Sequence, residues 1–339
     1  MSWVQYVDRY QRRHAWIGFP IAVIYKYFDD HGPYLAAILT YYAFIAIFPI
    51  LLISSSVLGF FLQDDAALRE RLLNSALSQF PIVGDQLGRA EGLRGSTSAI
   101  VVGSLAAVYG ATGVGQAAQH AANVAWSVPR NSRTNAVIQR FRSVVILAFA
   151  GLGVLTLAIT SLLLANPDAV GVDGGGLSWV SKLASVLVTL PILAGMYRLV
   201  GARRVPARAV LPGAVFVAVV WQGLQFGGSR FVSEVVTKAT TSQMNQTFAL
   251  VLGLFAFLFL VSAMAVLGHE INVVAYERLY PRALLTPFTD NVSLTDADRR
   301  AYTGYAKSQR HKGFQSIETR FDGPRRKRRS KPEAPAKDQ

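Results

Sequence analysis

The side chains of this sequence that could act on a ligand sit mostly inside or against long apolar stretches. An amide or a charge is costly there unless it faces water or a partner. Gln116, Gln119, His120 and Asn123 share one face at helical spacing. They either mark a helix emerging among lipid headgroups or line a hydrated cavity. Gln222 and Gln225 interrupt another apolar stretch, where amides either bond a neighbouring helix or border a polar path. Glu270 and Asn272 follow a third. Glu270 could form an ion pair with Arg140 or Arg142, or hold a proton or a headgroup. Gln116, Asn123, Arg140, Arg142, Gln222, Gln225, Glu270 and Asn272 are thus the candidates for a substrate path, with amides and guanidinium groups suited to a phosphate. Gly103, Ala107, Ala111 and Gly115 recur every four residues. That spacing lets helix backbones approach closely in lipid, so helix packing is the first reading and a glycine-lined path the second.

Catalytic signatures are missing from the sequence. There is no cysteine, which excludes disulfides and thiolate chemistry, and the five histidines (His14, His31, His120, His269, His311) are scattered singly. No HExxH, GxSxG or P-loop string occurs. The glycines of GATGVG (110–115) lie within an apolar helical pattern rather than at a strand-to-helix turn. No catalytic residue, metal or cofactor is expected, and the chain does not read as an enzyme.

The elements that must position the candidates follow from hydropathy. Hydrophobic residues make up 52% of the 339 and charged residues only 16%, against roughly 25% in soluble domains. A bilayer core of ~30 Å needs about 20 apolar residues of helix. Six stretches meet that need: 34–62, 99–118, 144–165, 179–200, 209–229 and 248–268. The first, at 1.5 Å per residue, is roughly 43 Å long and must tilt, kink near Pro49 or begin among headgroups. The expected fold is an all-α integral membrane protein with six transmembrane helices. Residues 14–28 are too short to span and carry Ile17, Ile21, Ile24 and Phe28 at helical spacing, as an amphipathic helix lying on the membrane would. They lack the cleavage site of a signal peptide. Within 63–98, Leu68, Leu72, Ala76, Leu77 and Phe80 form one helical face. The loops at 167–176 and 231–247 are Gly-rich and Ser/Thr-rich.

The net charge of +14 follows from topology. Of 34 Lys and Arg, only Arg69, Arg71, Arg89, Arg94, Lys182, Arg230 and Lys238 fall on one side of the six-span arrangement; the other 27 fall on the other. Basic loops stay cytoplasmic, so both termini are expected there. Residues 1–33 form an N-terminal arm, 34–285 the membrane domain and 286–339 a basic tail expected to be disordered. The tail cluster RRKRR (325–329) would be drawn to anionic headgroups at ~1 kcal/mol per basic residue. It has no interleaved aromatics or folded module to make it a specific nucleic-acid site. Membrane lipids are the expected partners, with a homo-oligomer also open.

Four strings resemble the YihY/BrkB family of bacterial inner-membrane proteins, once labelled ribonuclease BN-like: LAAILTYYAFIAIFPILLISSSVLG (35–59), AANVAWSVPRNSR (121–133), RAVLPGAVFVAVVWQ (208–222) and LGHEINVVAYE (267–277). The N-terminal arm leading to KYFDDHGPYLAA (26–37) is most similar to the YhjD branch. The resemblance implies a six-helix membrane protein linked to export of envelope lipid or lipopolysaccharide precursors. It supplies no catalytic residues. The functional expectation is therefore a transporter or flippase-like protein for an amphipathic envelope lipid, with a non-transporting scaffold or assembly factor as the alternative. A membrane-associated ribonuclease stands last, since no metal-binding constellation is present to hydrolyse a phosphodiester.

Overall fold

The computed structural model describes residues 3–61, 97–165, 177–231, 243–289 and 292–321, with side chains described for 6–47, 109–161, 185–224, 251–289 and 292–321. The helical face proposed within 63–98, most of the loops at 167–176 and 231–247, the RRKRR cluster, and the side chains of Gly103, Ala107 and Gln225 lie outside the described residues.

The described residues are helical and contain no strand. The helices are α1 (Trp3–Arg13), α2 (Ala15–Asp29), α3 (Gly32–Phe61), α4 (Thr97–Ala125), α5 (Ala136–Ala165), α6 (Leu177–Val200), α7 (Ala207–Phe231), α8 (Gln243–Glu277) and α9 (Asp296–Ser308). Helices α3 to α8 coincide with the six apolar stretches. Three segments, Ala136–Ser161, Ala207–Leu224 and Val251–Glu277, are long and apolar enough among the described residues to cross a bilayer.

The six long helices pack as a ring in chain order, each against the next, with α8 closing on α3. Helix α4 also touches α6 and α8 across the ring. A helix with four neighbours needs a slim profile. A Cβ on Gly115 would lie 2.7 Å from Ser143 Cα of α5, and one on Gly110 would lie 3.0 Å from the Ala46 backbone nitrogen of α3. Where the four-residue stripe is described, at Ala111 and Gly115, its glycine marks close helix packing. The outward faces remain apolar: Leu152 of α5, Leu187 of α6 and Val219 of α7 are all exposed. In water these surfaces would be unfavourable; against hydrocarbon they are not.

The largest buried cluster lies at the end of the ring holding the short connections. It joins Ala22 and Val23 of α2, Trp126 beyond α4, Tyr197 of α6, Val210 and Val217 of α7, and Val273 and Val274 of α8. Three helices reverse there through left-handed residues, His31 after α2, Ser127 after α4 and Arg278 after α8. Helix α2, expected to lie on the membrane, is packed into the bundle. Its Ile24 and Phe28 stay exposed as the amphipathic pattern requires, while Gly18, Ala22, Val23 and Lys26 are buried, and α2 packs against α8.

Within the 286–339 segment, expected to be disordered, the described residues include helix α9. Thr295 caps α9: its hydroxyl accepts from the Asp298 amide, and Asp298 accepts from the Thr295 amide, giving a capping box. Ala297, Asp298 and Ala301 are buried. A polar composition concealed a helix whose order comes from tertiary contacts.

Candidate functional site

Lys26 and Asp30 are four residues apart at the end of α2, so their side chains share a face. Lys26 Nζ donates to Asp30 Oδ2 and lies 3.2 Å from Glu270 Oε2 of α8. All three are buried. Burial alone would push the Lys26 ammonium down, but Glu270 and Asp30 outweigh it and hold its pKa above the ordinary lysine range. Burial pushes the Asp30 carboxyl up, against the pull of Lys26. Glu270 Oε1 has no hydrogen-bond partner among the described residues. One cation thus serves two carboxylates.

A second cluster adjoins it through the neighbouring carboxylate. Asp29 Oδ2 accepts from Arg282 Nη2 and from the Tyr305 hydroxyl, both at 3.2 Å. Buried Arg282 also donates from Nε to Asp298 Oδ1 at 2.5 Å, and its guanidinium lies over the Tyr302 ring. Tyr305 covers Lys26, whose Nζ is 5.4 Å from the ring centroid. Burial raises the Tyr305 pKa. Gln11 Nε2 donates to the Arg282 carbonyl at 2.5 Å, and Asp8 Oδ1 accepts the Leu284 amide at 3.0 Å, which ties α1 to the same place. Asp29 and Asp30 therefore join α2, α8 and α9 into one charged assembly, to which Gln11 and Asp8 add α1. The sequence reading missed it; the i,i+4 Lys-Asp pair and the Thr-x-x-Asp string were the available signals.

The described substrate-path candidates have separate surroundings. Asn123 Oδ1 accepts the Ala202 amide at 3.2 Å, tying α4 to the connection after α6. Asn272 Oδ1 accepts the Gly213 amide at 2.7 Å, tying α8 to α7. Gln222 Nε2 donates to Ser185 Oγ of α6 at 2.9 Å. Gln116 is half-buried and Arg140 exposed. Gln119, in the same polar stripe, donates to the Gly115 and Gln139 carbonyls and to Ser143 Oγ, joining α4 to α5. The pairing of Glu270 with Arg140 or Arg142 is not what the structure shows. Helices α5 and α8 are not neighbours in the ring, and Lys26 occupies the position instead. Arg142 closes the end of α6, donating from Nη2 to the Leu199 and Gly201 carbonyls at 2.7 and 2.8 Å and from Nη1 to Thr134 Oγ1 at 3.2 Å.

Three of the four strings singled out in the sequence are junctions at this end. In RAVLPGAVFVAVVWQ and LGHEINVVAYE, Gly213 faces Gly268: a Cβ on Gly213 would fall on the Gly268 carbonyl oxygen, and one on Gly268 on the Tyr197 hydroxyl. In AANVAWSVPRNSR, buried Trp126 lies 5.5 Å from the Arg203 guanidinium, which also pairs with Glu277 at 2.5 Å.

Two grooves open at the same end. The larger, about 470 Å³, lies between α5 and α6, with Arg142, Arg198 and Arg204 at its mouth and Phe141, Val145 and Ile146 along its wall. The smaller, about 380 Å³, lies between α7 and α8 beside Arg208, Tyr276 and Arg278.

The model of the family described as Virulence factor BrkB matches residues 23–290. The chain belongs to the BrkB family. The match runs from the buried face of α2 through the six long helices to the segment carrying Arg282, and α9 lies beyond it. A UPF0761 membrane protein of Psychrobacter sp. (strain PRwf-1) is 27% identical over 296 residues, covering 83% of this chain and 53% of the relative. The chain thus spans about half the length of the curated relative it matches. No solved structure matches. The BrkB chain is a membrane protein, and its all-helical fold agrees with that membership.

Proposed function

We propose that this BrkB protein spans a bacterial inner membrane six times, with both termini in the cytoplasm, and binds and moves an anionic amphipathic lipid of the envelope without catalysing a reaction. The observation that carries the reading is the division of its surface. Apolar side chains are exposed along α5, α6 and α7, while arginines crowd the loops at one end, where both grooves open. Membrane lipids are then its partners, with the basic tail adding attraction to anionic headgroups, and a homo-oligomer is compatible. Within the family we favour the YhjD branch, because KYFDDHGPYLAA, which carries that likeness, supplies Lys26, Asp29 and Asp30 of the charged assembly.

The test is leaflet exchange of a fluorescent anionic phospholipid in proteoliposomes, with and without a pH gradient and a membrane potential. Exchange faster than in protein-free vesicles supports transport. Protein-free rates under every condition overturn it.

A second reading, a non-transporting scaffold of the envelope, has its own observation. Asn123, Gln222, Glu270 and Asn272 each meet a partner on another segment instead of lining a common path. Absent exchange in a stably folded preparation favours it.

A further inference from the structure

The groove between α5 and α6 has features that the smaller groove lacks. We infer that it is a binding site for the phosphate of an anionic lipid, held by Arg142, Arg198 and Arg204, with an acyl chain laid along Phe141, Val145 and Ile146. The inference deepens the lipid-binding half of the proposed function and rests on that reading.

Charge comes first. Three guanidinium groups border the groove and no acidic side chain does among the described residues. The C-terminal end of α6 contributes about −0.5 of a charge, far less than three arginines. Arg142 already engages the Leu199 and Gly201 carbonyls, so two of the acceptors that would repel an anion are occupied. Three of the five Arg142 N–H donors are used, leaving Nε and one Nη1 hydrogen for a ligand. Those bonds also fix its side chain, so little rotamer freedom is lost on binding. Arg198 and Arg204 are exposed and can close from the other side.

Shape and position decide between a free and a lipid phosphate. At about 470 Å³ the groove exceeds what a bare anion needs and falls within the usual range of ligand sites. Its wall is apolar and open sideways, since Phe141 and Val145 are exposed and continue into exposed Val144 on the same outer surface of α5. Arg142 is the last charge on α5 before the uncharged run to Ala165. Phe141 lies level with Arg142, and Val145 and Ile146 lie about one turn further into that run, so a phosphate at the guanidinium groups places its acyl chain along the deeper two side chains. The groove between α7 and α8 has Arg208 and Arg278 but no comparable apolar wall.

The test uses the full chain in nanodiscs and in detergent, with phosphatidylglycerol as the probe. Phosphatidylcholine and inorganic phosphate are the comparisons. Arg198→Gln with Arg204→Gln is the main variant, because both side chains are exposed and neither caps a helix. Arg299→Gln with Lys307→Gln, on exposed positions of α9, removes the same charge elsewhere. The expected result is preferential retention of phosphatidylglycerol by the wild type, cut about tenfold or more in the groove variant and unchanged in the α9 variant. Equal retention in both variants overturns the site. Displacement of the lipid by inorganic phosphate at equal concentration overturns its assignment to a lipid. Leaflet exchange measured on the same preparations separates the two claims. Exchange that persists with unaltered binding in the groove variant removes the site and leaves transport standing. Groove-dependent binding without exchange in the wild type keeps the site and removes transport.

Discussion

Lys26 Nζ lies 3.2 Å from Glu270 Oε2 while also bonding Asp30, so a single buried ammonium on α2 stands between two buried carboxylates. Removing the cation is therefore worse than removing either anion. Lys26→Met leaves two carboxylates facing each other and is expected to cost roughly 3–5 kcal/mol. Glu270→Gln leaves the neutral Lys26–Asp30 pair and is expected to cost less, and adding Glu270→Gln to Lys26→Met should restore part of the loss. Thermal melting of the detergent-solubilised protein orders the three variants. A milder effect of Lys26→Met than of Glu270→Gln contradicts the arrangement.

The crossing of α7 and α8 predicts a contrast between glycines. At Gly213 a Cβ meets the Gly268 carbonyl oxygen, a backbone atom that cannot swing aside. Gly213→Ala is expected to lower the melting temperature markedly or abolish folding. Gly223, also in α7, has nothing within 4 Å of an added Cβ. Gly223→Ala is expected to be neutral or to gain up to about 1 kcal/mol from helix propensity. Equal effects at the two positions would contradict the close approach.

Alkaline pH should loosen the charged assembly. Lys26 and Tyr305 both have folded pKa values raised above their ordinary ones. Each therefore binds its proton more tightly in the folded chain, and the associated stability is present below the unfolded values near 10 and lost as pH rises through the folded ones. Melting temperature should fall above about pH 10, and more steeply in the wild type than in Tyr305→Phe once both are referred to their values at pH 8. Parallel curves would remove Tyr305 from the assembly.

Asp298 predicts how firmly α9 is attached. It caps its own helix and bonds buried Arg282. Asp298→Ala removes both functions and leaves a buried guanidinium with only Asp29, at an expected cost of about 3–5 kcal/mol. Adding Arg282→Met should recover part of it. Limited proteolysis between α8 and α9 reads the detachment directly.

The six long helices were legible because hydropathy over about 20 residues is a property of the local sequence. Their ends were not. Helix α4 runs to Ala125 rather than to 118, α5 starts at Ala136 rather than 144, and α8 runs to Glu277 rather than 268. In each case polar residues that look like the end of a span continue the helix, because they find partners, as Gln119 does with Ser143 and Asn272 with Gly213. Helix α9 hid in a polar composition, since its order comes from Asp298 and Arg282 rather than from hydropathy. Glu270 was recognised as needing a cation. Its partner lay 244 positions away, and the sequence carries no measure of that distance.

Chain order and spatial order coincide around the ring, each helix lying beside the one made just before it. Each helix can therefore pack against its predecessor without passing any segment between two already in place. The seam between α3 and α8, like the contacts of α8 with α2 and α4, must wait for α8 to arrive. Lys26, carried on the short helix just before α3, meets Glu270 on α8 and fastens that seam like a buckle, long after Lys26 itself was added to the chain.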